Sequence, residues 1–585
     1  MAYMITDGRP SITTIDKFLG LNMNETGETQ LKLGEASYMK NFRITKDYKL
    51  EKMFGYTALY NPDSAIKQNY VGKLGTKEVN VYVTADAKVY DSGTQKGTLA
   101  SADVMMFEWN KILYFVDGTN IKMYNGTIFG NATGYVPTVK TACTPAGVGT
   151  DLEQINMLSM FRKVLFSADG TSTEYHLPET GLDASGTSCK INGASVTDYS
   201  VNTTTGVVTF DFAPTSGTNN VEIQYQTGSL GNVKKCKYCT KFGLADDTRL
   251  FAYGDSSNKN RVYFSDLDIT GVGNPLYFPA NNFIDVGSSN EAVTDISRQY
   301  DRLIVSKPSE CYYMVYEAIT DTTDQTIISF PTYPLNKSHG MVAYGQGQLL
   351  DNYVTTIDAS GIIQWTNTQS KDERNAVVIS GRVNEWLQER DLSKAITMDY
   401  QEEKEYWLAI DNEVLVYNYS NGAFYILSLP DNVRTLTMYA GDIYMGTDTS
   451  IMKFGEGWTA YNGEIIDAEW NGGYYDFEAE YKRKTMRVLW ITVKPQENTY
   501  MEVNYISDRN EGNDTKEILR KSFSYNLWNY ADFMYTSGTQ VKPFRIKLKA
   551  KKFAFLKLKI KSNKIDCRLI VDSISIQKSY GGFVK

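Results

Sequence analysis

The stretch of sequence that decides the fold is KILYFVDGTNIKMY, residues 111–124. Apolar and aromatic runs stand on both sides of Asp117-Gly118, a pair typical of a two-residue hairpin turn. The runs are rich in β-branched and aromatic residues, which suit a pleated, half-buried surface. The stretch therefore predicts two antiparallel strands joined by a tight turn.

The same strand–turn–strand unit occurs seven times along the chain. A lone hairpin is marginal in water, so each unit must bury its faces against neighbours. Recurrence at this spacing favours a β-propeller of six to eight blades over residues 61–460, rather than unrelated meanders in two sandwiches. Residues 161–167 (FRKVLFS) are a candidate for an eighth unit. The other six units lie at residues 78–90, 249–265, 301–315, 350–365, 405–417 and 442–454.

Three further regions complete an all-β chain. Short strand-like runs joined by Thr, Ser, Gly and Asn at 168–230 predict an inserted immunoglobulin-like β-domain. Longer alternating strands at 461–585 predict a C-terminal β-sandwich, and short helices are expected at 151–159 and 382–390. Residues 1–60 predict an extended arm without its own core, ordered by lying on another surface. The residues expected to make this arm an assembly element are Phe18, Leu19, Leu21, Tyr38, Met39 and Phe54.

Composition excludes several classes of function. The chain has 585 residues but two histidines, His176 and His339, which nearly excludes histidine-based metal sites and weakens a Ser-His-Asp scheme. The net charge of -8 lacks the basic footprint of a protein that grips nucleic acid. No apolar run is long enough for a membrane helix, and the first seven residues do not predict a signal peptide.

One cysteine pair, Cys236 and Cys239, has C-x-x-C spacing. A structural zinc site usually needs a second pair at a set distance, and the sequence has none. Zinc or redox chemistry stays open beside the alternative of incidental cysteines in a strand. With six cysteines in the chain, no disulfide scaffold is expected.

Propeller enzymes often hydrolyse glycans with paired carboxylates. None of the acidic candidates here stands in a recognisable motif, so they are interpreted as solvated turn residues. The sequence therefore predicts no catalytic residue, no cofactor and no metal site. The candidates considered are Asp246, Asp247, Asp266, Asp268, Glu402 and Glu403.

Residues 541–564 contain ten Lys or Arg and no Asp or Glu. Alternation places the basic residues on one strand face and the apolar residues on the other. Two neighbouring strands would then present a cationic sheet face. That face is either a solvated surface that discourages edge pairing or a docking face for an acidic partner or phosphate. The candidate docking residues are Lys547, Lys549, Lys557, Lys559 and Lys561.

Three N-terminal motifs carry a family resemblance: FLGLN at 18–22, LGEASYMKN at 33–41 and LEKMFGY at 50–56. Together they resemble the start of tail nozzle proteins of short-tailed bacteriophages, the tail tubular protein B and phage stabilisation protein group. Lys52 stands where that family usually has arginine, and the family's proline is absent. Residues 249–286 resemble the propeller blades of such proteins.

The resemblance implies a structural protein of the virion tail, made in the host cytoplasm, and not an enzyme. It implies a homohexameric ring with a channel that DNA leaves through without sequence-specific binding. An acidic chain would keep that channel from trapping DNA. The expected partners are further copies, a tail adaptor or portal-proximal ring and, as an open alternative, tail fibres. The alternative function is a receptor-binding or glycan-processing tail protein.

Overall fold

The regular structure of the protein is almost entirely β-strand in the computed structural model. An α-helix, Asn384–Gln388, lies inside the second predicted helical segment, whereas the first segment, 151–159, is not helical. Among the described residues, the 3-10 helices are Glu28–Gln30, Ala184–Gly186, Asn232–Lys235 and Leu392–Lys394. The structure describes residues 10–24, 28–244, 246–320, 326–366, 375–494, 496, 498–509, 511–521, 541–548 and 550–584.

Within the described chain, seven four-stranded antiparallel sheets form a propeller, and we number them blades 1 to 7. The first strand of each blade is innermost, and inner strands of consecutive blades contact one another around the ring. The predicted all-β propeller is thus confirmed. Blade 1 consists of Ile66–Leu74, Lys77–Thr84, Lys88–Asp91 and Thr94–Thr98, and blade 2 of Met105–Trp109, Ile112–Val116, Ile121–Tyr124 and Phe129–Asn131. Blade 3 consists of Tyr238–Leu244, Asp247–Tyr253, Arg261–Phe264 and Phe283–Asp285, blade 4 of Asp295–Gln299, Arg302–Ser306, Cys311–Val315 and Thr332–Asn336, and blade 5 of Gln348–Leu350, Tyr353–Asp358, Gly361–Trp365 and Ala376–Val378. Blade 6 consists of Ile396–Tyr400, Glu405–Ile410, Glu413–Asn418 and Ala423–Ser428, and blade 7 of Thr435–Tyr439, Asp442–Gly446, Ile451–Phe454 and Tyr56–Tyr60.

Blade 7 takes its outer strand from the N-terminal region. Tyr56–Tyr60 pairs antiparallel with Ile451–Phe454, and the chain then enters blade 1. Backbone hydrogen bonds between distant parts of the sequence therefore close the ring. Tyr56 stacks on Tyr461 with ring centroids 4.9 Å apart and donates a hydrogen bond to Asp431 at 2.9 Å. The propeller begins at Tyr56, before the predicted residue 61.

The predicted hairpins are the second and third strands of the blades. The hairpin at 111–124 turns through four residues rather than the predicted two. Asp117 explains the longer turn, because its Oδ1 accepts hydrogen bonds from the backbone N–H groups of Thr119 at 3.0 Å and Asn120 at 2.6 Å. Its Oδ2 accepts from the N–H of Ala100 at 2.8 Å, which fastens the turn to the linker after blade 1.

The inserted domain lies between blades 2 and 3. The candidate eighth unit belongs to it, because Phe161–Ala168 pairs with Gly217–Gln226. Phe166 of the larger sheet packs edge-on against Tyr175 of the smaller sheet, with centroids 5.3 Å apart. The larger sheet already includes Thr138–Cys143, so it begins before the predicted boundary at 168. The strands are Thr138–Cys143, Thr150–Asp151, Phe161–Ala168, Ser188–Ile191, Ala194–Val196 and Gly217–Gln226 in the larger sheet, and Glu174–His176, Tyr199–Asn202 and Val207–Phe210 in the smaller.

The C-terminal sandwich is built from both ends of the chain. Ser11–Ile15 pairs along Ile570–Phe583, and the second sheet continues into blade 6 where Lys40 lies opposite Ile426. The sandwich and blade 6 share one apolar core. The first sheet contains Ser11–Ile15, Phe42–Ile44, Leu50–Lys52, Lys482–Lys494, Lys542–Ile546, Ala550–Phe553 and Ile570–Phe583. The second contains Gly20–Leu21, Glu35–Lys40, Ala468–Gly472, Asn498–Ser507, Glu511–Lys521 and Leu556–Ser562 beside blade 6.

Three short strand pairs complete the described chain. Ala460–Tyr461 and Glu464–Ile465 extend blade 7. The remaining pairs are Asp266–Leu267 with Gly273–Asn274, and Glu317–Thr320 with Thr326–Ser329.

The N-terminal region is not an arm without a core, which corrects the sequence prediction. Phe18, Leu21 and Met39 are at most 1% exposed and belong to the core shared with blade 6. Leu19 and Phe54 are half-buried, whereas Tyr38 is 44% exposed. Buried side chains have no surface left for a neighbouring subunit, so Phe18, Leu21 and Met39 hold this chain's own fold.

Candidate functional site

The starts of all seven inner strands surround a cavity of about 730 Å³ on the propeller axis. This volume lies within the range of roughly 300–1,000 Å³ that is usual for small-molecule pockets. The wall is rich in polar and charged side chains. The charged residues that line it are Lys67, Asp103, Lys237, Asp295, Arg298 and Arg434.

Two of the four cations are neutralised by carboxylates. Lys237 Nζ lies 2.7 Å from Asp103 Oδ2, and this contact holds the pKa of Asp103 below its ordinary value. Arg434 Nε lies 2.6 Å from Asp448 Oδ1. These pairs fix the positions of both cations and offset their charge.

The other two cations, Lys67 and Arg298, are exposed side chains on blades 1 and 4. Neither forms an ion pair with any residue that the structure describes. The Arg298 guanidinium lies over the ring of Phe242, 5.8 Å from its centroid. The four cations outnumber the carboxylates, which are Asp103 and Asp295 in the wall and Asp448 beside Arg434, so the cavity keeps a net positive charge.

Asp295 is the buried carboxylate of the cavity wall, with 3% of its surface exposed. Its Oδ1 accepts a hydrogen bond from the N–H of Gly347 at 3.0 Å, and its Oδ2 accepts one from Ser297 Oγ at 2.6 Å. A Cβ at position 347 would lie 2.2 Å from Asp295 Oδ2, so glycine is needed for this approach. Asp295 thus connects blade 4 to the start of blade 5, and burial raises its pKa to about 6.

Asp295→Asn is expected to raise the free energy of unfolding by about 2 kcal/mol at pH 7.5. The folded-state pKa exceeds the unfolded-state value, so the wild-type carboxylate costs stability progressively as pH rises from about 4 to 6. The gain should therefore shrink below about 1 kcal/mol at pH 4. Urea unfolding of the wild type and of the variant at both pH values measures this gain in the free energy of unfolding. Asp103→Asn, which removes an ion pair, is the control and should not stabilise; equal gains for Asp295→Asn at both pH values would contradict the burial argument.

The four described lysines of the predicted docking face do not share one face. Lys547 follows Lys542–Ile546, which pairs with Lys482–Lys494 in the first sandwich sheet. Leu556–Ser562, which carries the other three described lysines, lies in the second sheet. The outer faces of two packed sheets point in opposite directions, so a single cationic face is ruled out. Lys549 lies outside the described residues.

The lysines of Leu556–Ser562 have their own neighbours. Lys561 lies opposite Glu469 on one adjacent strand and Glu502 on the other. Lys557 is 7% exposed and lies over the ring of Tyr474, 5.3 Å from its centroid. Lys559 is half-buried in the same strand. The acidic residues that accompany this basic strand come from elsewhere in the chain, so the basic run alone could not reveal them.

The acidic candidates and the cysteine pair have structural surroundings. Asp247 and Asp266 each lie 2.7 Å from a guanidinium nitrogen of buried Arg249. Burial raises the pKa of Cys239 to about 12 and that of Cys236 above its ordinary value, which favours the thiol over the metal-binding thiolate. In the part of the chain that the structure describes, no three His, Cys, Asp or Glu side chains are grouped to hold a metal ion. No helix among the described residues is long and apolar enough to cross a membrane.

Comparisons with known proteins add nothing to the fold that the seven sheets show. No family model and no curated protein matches the chain. Similar solved structures include BamB from Moraxella catarrhalis, 10% identical over 76% of this chain and 97% of that chain, with a TM-score of 0.28. The AfRom2 CNH domain is 8% identical over 68% of this chain and 99% of that chain, with a TM-score of 0.36. A gluconolactonase from Xanthomonas campestris is 10% identical over 70% of this chain and 91% of that chain, with a TM-score of 0.24.

Sequence reasoning missed the cavity residues because they belong to no motif. Lys67 and Asp295 stand at or next to the starts of inner strands, and Arg298 lies three residues after Asp295; each inner strand comes one strand before a recognised hairpin. Position along the chain could have found them, because in a propeller the strand before each recognised hairpin lies next to the axis. Charged residues at those starts could have been collected as a group.

Proposed function

We propose that this chain is a structural subunit of a phage tail nozzle and forms a ring through which DNA leaves the virion. The observation that carries the proposal is where the three resembling motifs lie. Gly20–Leu21 of the first motif pairs with Glu35–Lys40 of the second. Leu50–Lys52 of the third pairs with the C-terminal strand Ile570–Phe583, and Tyr56–Tyr60 closes blade 7.

These pairings join the N-terminal segment, the propeller and the C-terminal sandwich. Strands from both ends of the chain are hydrogen-bonded in one sheet, from Ser11 opposite Lys578 to Ile15 opposite Ile574. Pulling on either end would have to break sheet hydrogen bonds cooperatively. This arrangement supports a load-bearing role, which a channel for a pressurised genome requires.

The proposed assembly is a homohexamer that contacts a tail adaptor or portal-proximal ring and is located in the virion tail. DNA would pass through the channel between subunits without base-specific contacts. Tail fibres are a further proposed partner. The alternative, a receptor-binding or glycan-processing protein, would use the axial cavity of the propeller instead.

Electron microscopy of the purified protein and of the virion tests the proposal. We expect a ring with a central hole, and six subunits by native mass spectrometry. Tyr38→Glu should reduce the ring fraction because Tyr38 keeps 44% of its surface exposed within the predicted assembly segment. Tyr353→Glu is the matched control, since Tyr353 is 42% exposed on blade 5. A protein that stays monomeric at all concentrations and is absent from the tail would overturn the proposal.

A further inference from the structure

The axial cavity contains polar atoms whose hydrogen bonds are unmet. Asn69 Nδ2 and Oδ1, Gln68 Oε1 and Thr435 Oγ1 are shielded from solvent and have no partner among the described residues. The Gln68 amide nitrogen donates to the carbonyl of Val104 at 2.6 Å, which fixes the orientation of that side chain. Leaving such groups unpaired costs about 1–3 kcal/mol each, so the Asn69 side chain, which no hydrogen bond from a described residue holds, would gain hydrogen bonds by turning toward a polar ligand in the cavity.

An aromatic surface lies on another part of the wall. Tyr344 stacks on Tyr238 with ring centroids 5.6 Å apart, and Tyr238 stacks on Tyr253 at 5.5 Å. The stack holds the Tyr344 ring in place while 38% of Tyr344 stays exposed. Gly345 permits the stacking, because a Cβ there would lie 2.9 Å from the Tyr238 ring. A rigid aromatic surface with nearby amide groups suits a ligand that has apolar C–H faces and many hydroxyls.

The charge of the cavity selects among such ligands. Of the two wall carboxylates, Asp103 is paired with Lys237, and Asp295 is buried and accepts hydrogen bonds from Ser297 and Gly347. Lys67 and Arg298 form no ion pair in the described chain, although the charge of Lys67 also helps to lower the pKa of Asp103. A negatively charged ligand would be attracted to them.

We propose that the axial cavity binds an acidic saccharide. Its carboxylate would contact Lys67 and Arg298, one sugar face would pack on Tyr344, and a hydroxyl would pair with the Asn69 amide once that side chain turns into the cavity. Inorganic phosphate would use the two cations but neither the aromatic surface nor the amides. This inference does not depend on the nozzle assignment, and a nozzle subunit could carry such a site for a host-surface polymer.

Isothermal titration calorimetry with the full chain tests the proposal, using trigalacturonate, neutral maltotriose and inorganic phosphate as probes. We expect trigalacturonate to bind at least 10-fold more tightly than the other two. The double variant Lys67→Gln, Arg298→Gln should weaken trigalacturonate binding at least 10-fold. Lys73→Gln is the matched control, because Lys73 lies at the other end of the same inner strand and faces Glu78 at 3.5 Å.

A second variant separates the saccharide contacts from the charge. Asn69→Ala should weaken trigalacturonate binding without changing the effect of salt on it, and thermal unfolding of each variant checks that the propeller is intact. No heat from trigalacturonate with the wild-type protein would overturn the proposal. So would equal affinity for maltotriose, equal affinity for phosphate, or unchanged binding by the folded double variant.

Discussion

Phe18→Ala should lower the free energy of unfolding by about 3–5 kcal/mol, the usual cost of truncating a buried aromatic side chain. Phe18 is fully buried and meets Trp470 edge-on, with ring centroids 5.5 Å apart. The truncation would leave a cavity where the N-terminal segment joins the core of the sandwich and blade 6. Chemical denaturation followed by tryptophan fluorescence measures the loss, because Trp470 lies beside the cavity.

Leu19→Ala is the matched control. Leu19 is the next residue but is half-buried, so its truncation should cost about 1 kcal/mol. Equal, small losses for both variants would show that the N-terminal segment lies on the surface as a separable arm. A large loss for Phe18→Ala alone supports the built-in segment and separates folding from assembly.

Gly55→Ala should destabilise the propeller by about 3 kcal/mol, at the upper end of the cost of overpacking. A Cβ at this position would lie 1.9 Å from the carbonyl oxygen of Ala460 and 2.7 Å from its carbon. The Gly55 N–H donates to the carbonyl of Trp458 at 2.7 Å, so the backbone cannot move away without losing that bond. The strand Tyr56–Tyr60 must therefore shift and loosen blade 7. Thermal unfolding and limited proteolysis near that strand measure the effect.

Gly457→Ala provides the comparison, since the position lies nearby and a Cβ there would meet no atom within 4 Å. This substitution should change stability by less than about 0.5 kcal/mol. If the two alanine variants unfold at the same temperature, the close contact at Gly55 does not hold the ring closed.

The repeat was readable because its cause is local. Strand propensity and turn residues act within about fifteen residues, and each hairpin combines apolar alternation with a polar turn. The error at Asp117 is instructive: Asp-Gly favours a two-residue turn, but the carboxylate caps two backbone N–H groups and reaches Ala100 of another linker. A contact outside the hairpin selected the longer turn.

The basic strands show the same division between what the local sequence determines and what distant contacts determine. Alternation correctly separated the exposed side chain of Lys547 from the buried side chain of Ile546. Alternation could not say that Lys542–Ile546 and Leu556–Ser562 enter different sheets, since pairing partners are chosen by long-range packing. The acidic neighbours Glu469 and Glu502 likewise come from strands far away in sequence.

The sequence by itself determined the β class, the hairpin repeat and the presence of an inserted and a C-terminal β region, because hydrophobic period and turn chemistry are properties of neighbouring residues. Only the tertiary structure decided that Tyr56–Tyr60 closes the ring, that Ser11–Ile15 joins the last strand, and that Lys67, Asp295 and Arg298 line one cavity. Those outcomes depend on contacts between residues hundreds of positions apart. Such contacts form only when whole sheets bury their faces together, and no local pattern records which partner a strand will find.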